Sequence, residues 1–450
     1  MGQNGCMKNI LLMIGLAATF TANLFAEETL QLNLVPERGY VVKNSPQEVV
    51  IKIDLSAIAG KQKTRRTPLN LAVVLDKSGS MTGAKLEKTK QAAMQLVDRL
   101  APNDVFSLVI FSDEAQVLVP AQKVGDTEAL KEKIEGIEAE GSTALYAGVK
   151  MGADQLQEFF SEKRINRVIL LSDGLANVGP SSPRELRRLG GDLSEKGISV
   201  TTIGVGDDYN EDLMAGLAEA SDANYYYVQD TEKLPEIFAK ELGELLTVAA
   251  RDVRIEITCP DGVKPLGFIG RAEKFDDQKA TVNLSQFSTG QDRQLFLRCL
   301  VNGNQPEVAR VRLNYKDELG DGSVQSAGGV AKIDFTDDQK LSDGSVNGAV
   351  NAEKELMLTA VAKDEAIAQA DAGNYQQAAS ILKAQSAALN GSFALAPASV
   401  QMQIRAETNN LDDFSGKING GGSGGGGGFD SAARKTLQSQ SFNTRNSKSD

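Results

Sequence analysis

The sequence predicts an α/β protein: a doubly wound parallel sheet with a flanking β-sandwich and a C-terminal helical hairpin. Three observations carry this expectation. Short apolar runs alternate with helical patterns over residues 68–248, period-two strand patterns lie on both sides of that region, and a helical stretch begins near residue 350. At 450 residues with 41% hydrophobic content, the chain is long enough for two or three domains with substantial cores.

Taken in order, Met7-Lys8-Asn9 precedes a mostly apolar stretch over residues 10–25, followed by Ala26-Glu27-Glu28. Residues 1–26 therefore read as a signal peptide cleaved after Ala26, which implies a periplasmic or secreted location. An uncleaved anchor is the alternative, the run being short against the roughly 20 residues of a spanning helix. Cys6 precedes the apolar region, unlike a lipid-attachment cysteine. Residues 27–60 form an N-terminal β segment, since Leu30-Gln31-Leu32-Asn33-Leu34 and the run from Val49 to Leu55 alternate as two or three antiparallel strands. The basic stretch from Lys61 to Arg66 reads as a solvated linker.

Within 68–248, strands are expected at 69–76, 104–112, 116–119, 167–173, 198–206 and 225–229. Helices are expected near 85–100, 128–137, 145–160, 183–195, 211–219 and 232–246. Residues 251–336 return to strand patterns, such as Val253-Arg254-Ile255-Glu256-Ile257, and are expected to complete a β-sandwich with the early strands, the α/β unit being inserted between them. A separate N-terminal hairpin is the alternative. Residues 350–411 read as a helical hairpin turning at Ala372-Gly373-Asn374, with a further helix starting near Ser399. Residues 416–450 read as a Gly-rich disordered tail in which Phe429, Leu437 and Phe442 are isolated apolar anchors.

Composition excludes several functions. A net charge of −12 argues against nucleic acid or an anionic membrane as the main partner. The absence of histidine removes Ser-His-Asp and Cys-His catalysis, histidine-containing zinc sites and the His-Glu-x-x-His motif. After cleavage only Cys259 and Cys299 remain, and one disulfide is expected in an oxidising compartment; two separate buried thiols are the alternative.

The most informative residues are Asp76, Ser78, Ser80, Thr143 and Asp173. The apolar run Leu71-Ala72-Val73-Val74-Leu75 breaks into Asp76-Lys77-Ser78-Gly79-Ser80 just before a helix; Glu140-Gly141-Ser142-Thr143 opens another; and Val168-Ile169-Leu170-Leu171-Ser172 ends at Asp173. Alone, each has an ordinary reading as helix cap or turn residue. Together they place hard oxygen donors at the carboxyl ends of strands in an alternating β/α pattern, where open α/β sheets bind ligands and where Mg²⁺ finds the oxygens it prefers.

With these residues in place, the region resembles the von Willebrand factor type A domains, whose metal-ion-dependent adhesion site is Asp-x-Ser-x-Ser plus a distant Thr and a distant Asp. All five positions are matched. Ile203-Gly204-Val205-Gly206 and Asn224-Tyr225-Tyr226-Tyr227 look like the closing strands of such a domain. The resemblance implies a Rossmann-like sheet, a bound Mg²⁺ or Mn²⁺, and a Glu or Asp of a partner protein as its last ligand. The arrangement also resembles bacterial secreted or periplasmic proteins with a type A domain between β and helical segments.

The expected function is thus an extracytoplasmic, metal-dependent protein-binding module for adhesion or assembly, without membrane insertion after signal cleavage. A metal-independent scaffold is the alternative. A metal-dependent enzyme with Asp173 or Glu140 as base stands lower, because no second motif supplies a nucleophile, a cofactor loop or paired acids. Asp207, Asp208 and Asp212 are read as surface acids and caps, and Ser112 and Lys77 are given no ligand role.

Overall fold

The computed structural model describes residues 28–59, 66–303, 305–421 and 429–447. The expected signal peptide, residues 61–65 of the basic stretch and most of the glycine run lie outside the described residues.

The chain begins with β1 (Leu30–Pro36), β2 (Tyr40–Val42) and β3 (Gln47–Ala57). It then enters the α/β unit: β4 (Leu69–Asp76), α1 (Ala84–Asp98), β5 (Val105–Phe111), β6 (Ala115–Lys123), α2 (Thr127–Glu135), α3 (Leu145–Gln157), β7 (Ile165–Ser172), α4 (Pro183–Ser194), β8 (Ser199–Val205), α5 (Glu211–Ala220), β9 (Tyr225–Val228) and α6 (Leu234–Leu246). These strands make one sheet in the order β6-β5-β4-β7-β8-β9, parallel except for β6. Both faces are covered, so β4, β5, β7 and β8 are buried along their whole length, which is why they read as apolar runs without alternation. The order reverses at β4: the chain leaves it toward β5 and returns on its other flank as β7. Such a switch point opens a crevice at the carboxyl edge, and Asp76 ends β4 there.

Helix α3 lies close on this sheet because two of its residues lack side chains. A Cβ at Gly152 would come 2.5 Å from Val74 Cγ2, and one at Gly148 would come 2.7 Å from Phe111 Cδ1. The seat of α3 sets the depth of Thr143, two residues before its start.

After α6 come β10 (Val248–Thr258), β11 (Val263–Phe268), β12 (Lys279–Ser288), β13 (Asp292–Val301), β14 (Glu307–Asp317), β15 (Val324–Lys332) and β16 (Asp334–Thr336). One four-stranded sheet runs β1-β3-β13-β11 and the other β12-β10-β14-β15. Residues Gln47–Ser56 of β3 pair with β13, so strands from both sides of the α/β unit share a sheet and that unit is inserted between them. The sandwich core takes Ile51, Ile53 and Leu55 from one sheet and Ile255, Ile257 and Leu313 from the other. The opposite face of β3 is covered too, with Val50 against Met357 and Lys52 paired with Glu353 at 2.8 Å.

A polar clasp joins the sandwich to the edge of the α/β sheet where β4 begins. Thr67 and Arg251 both bond the buried carboxylate of Glu318, while Arg66 pairs with Asp104, whose Oδ1 accepts the Leu69 N–H at 2.8 Å.

The remaining helices are α7 (Gln339–Asp343), α8 (Gly348–Asp371), α9 (Tyr375–Ser392), α10 (Ala398–Gly421) and α11 (Ser431–Arg445). The expected hairpin is α8 and α9, and α10 extends it to three long helices. The expected disordered tail is corrected: α10 continues to Gly421 and α11 packs on the α/β unit. Leu437 and Phe442 are fully buried, with Phe442 edge-on to Tyr225 at a centroid distance of 5.5 Å. The Lys435 ammonium, buried 4.7 Å from the Tyr209 ring centroid, pairs with Glu211 at 2.8 Å. Arg434 bridges Asp212 and Asp371. Few apolar anchors suffice because charged groups of the α/β unit receive the rest of the helix.

Cys259 and Cys299 are free thiols in this structure rather than the expected disulfide. They are not apart, however: their side chains share a hydrogen bond in the sandwich core. Among the described residues no helix is long and apolar enough to cross a membrane.

Candidate functional site

Three loops at the carboxyl edge converge on one spot. In the first, β4 ends at Asp76 and the chain makes a short 3₁₀ turn, Gly79–Met81, before α1. The Asp76 carboxylate folds this turn back by accepting the Ser78 N–H at 2.8 Å on Oδ1, while its Oδ2 accepts the Ser172 hydroxyl from the neighbouring strand β7. The Ser78 and Ser80 hydroxyls then stand 3.1 Å apart.

The second loop carries Thr143. Its position is fixed by main-chain bonds from both sides: Gly79 N–H to Gly141 O at 3.0 Å, and Ala144 N–H to Ser112 O at 2.7 Å. Gly141 has φ 77°, and a Cβ there would meet Asp113 Oδ2 at 2.6 Å, so a glycine is required for this approach. The third loop follows β7. Asn177 holds it against the second, its carboxamide oxygen accepting the Thr143 N–H at 2.9 Å. Asp173 accepts the Ser80 hydroxyl at 2.8 Å on Oδ1 and the Lys85 ammonium on Oδ2.

All five sequence-derived residues are thereby brought together. Asp76, Ser78, Thr143 and Asp173 are buried, and Ser80 is exposed. Burial raises the Asp76 carboxyl to about 6; the hydrogen bonds from Ser172 and Ser78 oppose the rise, and the nearby Asp173 adds to it. Two carboxylates in a low-dielectric crevice repel one another, and a cation between them relieves that repulsion.

The donor set fits a hard divalent cation. A Cβ on Gly174 would lie 2.8 Å from Thr143 Oγ1 and 3.5 Å from Ser80 Oγ, so the glycine keeps clear the space onto which these hydroxyls open. Three hydroxyls and two carboxylates suit Mg²⁺ or Mn²⁺, which take oxygen ligands and retain water. Among the described residues no group of three or more Cys, Asp or Glu side chains converges, so this set depends on its hydroxyls.

Sequence reasoning missed three contributors. Ser172 is a polar residue closing an apolar strand, a signal visible beside Asp173. Lys85 lies on the first turn of α1, with Gly206 of the β8–α5 loop packed over it, and looked like any surface lysine. Asn177 sits in a loop whose composition gives no hint of its partner. Lys77, assigned no ligand role, pairs instead with Glu140. Of the acids after Gly206, Asp207 accepts the Tyr227 hydroxyl and Asp212 pairs with Arg434; Asn210 is the cap of α5.

Residues 70–240 match the family model described as von Willebrand factor type A domain. Over 277 residues, 58% of this chain and 65% of the relative, the sequence is 30% identical to the uncharacterized protein sll0103 of Synechocystis sp.. Over 276 residues, 59% of this chain and 47% of the relative, it is 26% identical to the uncharacterized protein YfbK of Escherichia coli. The chain thus matches about half to two thirds of the length of these relatives. A shorter stretch of 130 residues, 27% of this chain and 14% of that protein, is 37% identical to inter-alpha-trypsin inhibitor heavy chain H4 of Bos taurus. Among solved structures, a von Willebrand factor type A protein from Catenulispora acidiphila matches with a TM-score of 0.69 at 19% identity, covering 88% of this chain and 90% of that one. The ArnB paralog VWA2 from Sulfolobus acidocaldarius matches with a TM-score of 0.62 at 16% identity, covering 93% and 99%. At these identities the likeness concerns the fold, including the elements that flank the α/β unit.

Proposed function

We propose, from the premise that residues 70–240 of this chain are a von Willebrand factor type A domain, a module that commonly mediates protein interactions, that the chain is an extracytoplasmic binding protein capturing an acidic group of a partner through Mg²⁺ or Mn²⁺. Asp76, Ser78, Ser80, Thr143 and Asp173 would hold the ion. When bound, the ion supplies an electrophilic centre for a carboxylate from outside. The supporting observation is the convergence of these five side chains around the space cleared by Gly174.

Each residue has a separate part. Ser78 and Ser80 present hydroxyls from one rigid turn, and hydroxyl ligands neutralise little of the ion's charge. Asp76 orients that turn and would add negative charge to the site. Thr143 and Asp173 would complete the set, and the Lys85 ammonium pairs with Asp173. The reading is of binding rather than catalysis, supported by the absence of histidine from the sequence and of a second motif that would supply a nucleophile or a cofactor loop.

The test is calorimetric titration of Mg²⁺ and Mn²⁺ into the chain and into Asp76→Ala, followed by partner capture with and without chelator. Ion binding lost in the variant and capture lost in chelator are the expected results. Ion binding unchanged in Asp76→Ala overturns the assignment, and capture that persists in chelator identifies a metal-independent scaffold instead.

A further inference from the structure

The loop that follows β7 brings apolar side chains to the rim of the Asp76 site. Of the nine large hydrophobic side chains that stand exposed among the described residues, two lie on this loop, Leu175 at 58% and Val178 at 36%. A single exposed apolar residue is ordinary, but two on one turn at the mouth of a binding site mark a contact surface. The loop does bury one apolar group: Ala176 packs against the core of the α/β unit. Leu175 and Val178 are left outside.

Their position relative to the space for the ion follows from the main chain. Leu175 directly follows Gly174, the glycine whose Cβ would lie 2.8 Å from Thr143 Oγ1. The N–H groups of Asn177 and Val178 both donate to Thr143 O, at 3.2 and 3.4 Å, and the Asn177 carboxamide oxygen accepts the Thr143 N–H at 2.9 Å. The loop is therefore anchored on Thr143, and it presents the two apolar side chains on a surface that needs little ordering when a partner arrives.

The opposite flank has another character. Asp113 is exposed there and accepts the Ser142 N–H at 2.9 Å, one residue before Thr143. Lys77 and Lys85 are engaged by Glu140 and Asp173. A second acidic group on the partner would thus face the Asp113 carboxylate with neither lysine left to receive it, whereas an aliphatic group finds Leu175 and Val178. One residue advances a chain by about 3.8 Å, and side chains on one face of an extended segment recur every two residues, roughly 6.7 Å. With the acid at the ion beside Gly174, the side chain two positions away is the one that reaches Leu175.

We propose that the partner presents an extended segment in which a single Asp or Glu has a large aliphatic residue two positions away, the acid binding the ion and the aliphatic side chain covering Leu175 and Val178. The inference rests on the metal reading above and specifies the partner which that site takes.

The experiment titrates the full chain in Mg²⁺ with three fluorescein-labelled peptides, followed by anisotropy: Gly-Leu-Ser-Asp-Ser-Leu-Gly, the same peptide with both Leu replaced by Ser, and the same peptide with Asp replaced by Asn. Leu175→Ser with Val178→Ser is the variant. Both side chains are exposed, so its melting and its Mg²⁺ affinity by calorimetry should match the parent's. The first peptide is expected to bind the parent at least about tenfold more tightly than either other peptide, and to lose at least about tenfold in the variant. In EDTA it should fall to the level of the Asn peptide. Equal binding of the Leu and Ser peptides, or equal binding of the first peptide by parent and variant, overturns the inference while loss of binding in EDTA keeps the metal reading intact. Binding of the first peptide that persists in EDTA, or an Asn peptide that binds equally well, overturns both. No binding at about 1 mM peptide also overturns the inference, and Mg²⁺ calorimetry on the parent reports separately on the ion site.

Discussion

Replacing Asp76 by Asn separates what the metal-free site costs in folding from what it does in binding. The Asp76 side chain is fully buried, and burial lifts its carboxyl from 3.8 to about 6 against the pull of its hydrogen bonds. A displacement of roughly two pH units corresponds to about 3 kcal/mol at neutral pH. Because the folded-state value lies above the unfolded one, the carboxyl favours folding most when protonated, below about pH 4, and that advantage is lost as pH rises through about 6. Asparagine keeps the size and removes the charge. It gives back about 1 kcal/mol, since one amide cannot accept both the Ser78 N–H and the Ser172 hydroxyl. In chelator at pH 7.5 Asp76→Asn should therefore be more stable than the parent by about 2 kcal/mol, on the order of 4–8 °C for a unit of this size. The assay is thermal unfolding followed by circular dichroism, at pH 7.5 and pH 4, with EDTA and with Mg²⁺. Mg²⁺ should raise the melting temperature of the parent and leave the variant unmoved. A variant that melts at or below the parent in EDTA at pH 7.5, or a gap that persists undiminished at pH 4, refutes the reasoning.

Lys85→Met removes the cation that balances Asp173; Mg²⁺ affinity by calorimetry should rise five- to tenfold, about 1 kcal/mol of relieved repulsion, and an unchanged or weaker affinity counts against a competing ammonium. Oxidation with a glutathione redox buffer should join Cys259 to Cys299, closing a loop of about 40 residues and adding about 4 kcal/mol to sandwich stability in denaturant. Free thiols at both positions in a non-reduced digest would show that the pair cannot close. Lys435→Met leaves the buried Glu211 carboxylate with the Arg434 guanidinium as its remaining cation, at a cost of about 2 kcal/mol for the lost charge-assisted bond, and hydrogen exchange in α11 should accelerate while the sandwich strands keep their protection. Unaltered protection of α11 would mean that the Lys435–Glu211 pair does not secure it.

Much of this was legible because the strongest signals are local. An apolar strand ending in Asp-x-Ser-x-Ser declares both a buried strand and a cluster of oxygens, and Thr143 and Asp173 repeat the statement at two further edges. Convergence itself is non-local, and it entered through the alternation of strands and helices, which limits where carboxyl ends can point. Residues whose role depends on a distant partner stayed hidden. Lys85 has helix spacing typical of solvent-facing lysines, yet it turns inward to Asp173. The same holds for α11: Leu437 and Phe442 are too few to form an amphipathic stripe, and Glu211 and Asp212, which receive Lys435 and Arg434, lie more than two hundred residues earlier. On β3, Lys52 is one polar step in an alternating strand pattern, and nothing nearby in sequence announces that α8 covers it and supplies Glu353.

The insertion of the α/β unit has a mechanical consequence. Its two covalent leads, β3 into β4 and α6 into β10, both join it to the sandwich, and the clasp of Thr67, Arg251 and Glu318 lies where the first of them enters. Asp76 and Asp173 sit at the other end of the strands. Tension applied at that edge runs along β4 and β7 in the direction of their length, shearing a whole ladder of parallel hydrogen bonds at once instead of opening them one by one. The load then reaches the sandwich through two connections side by side, reinforced by buried ion pairs, so tension at the carboxyl edge meets shear rather than unzipping.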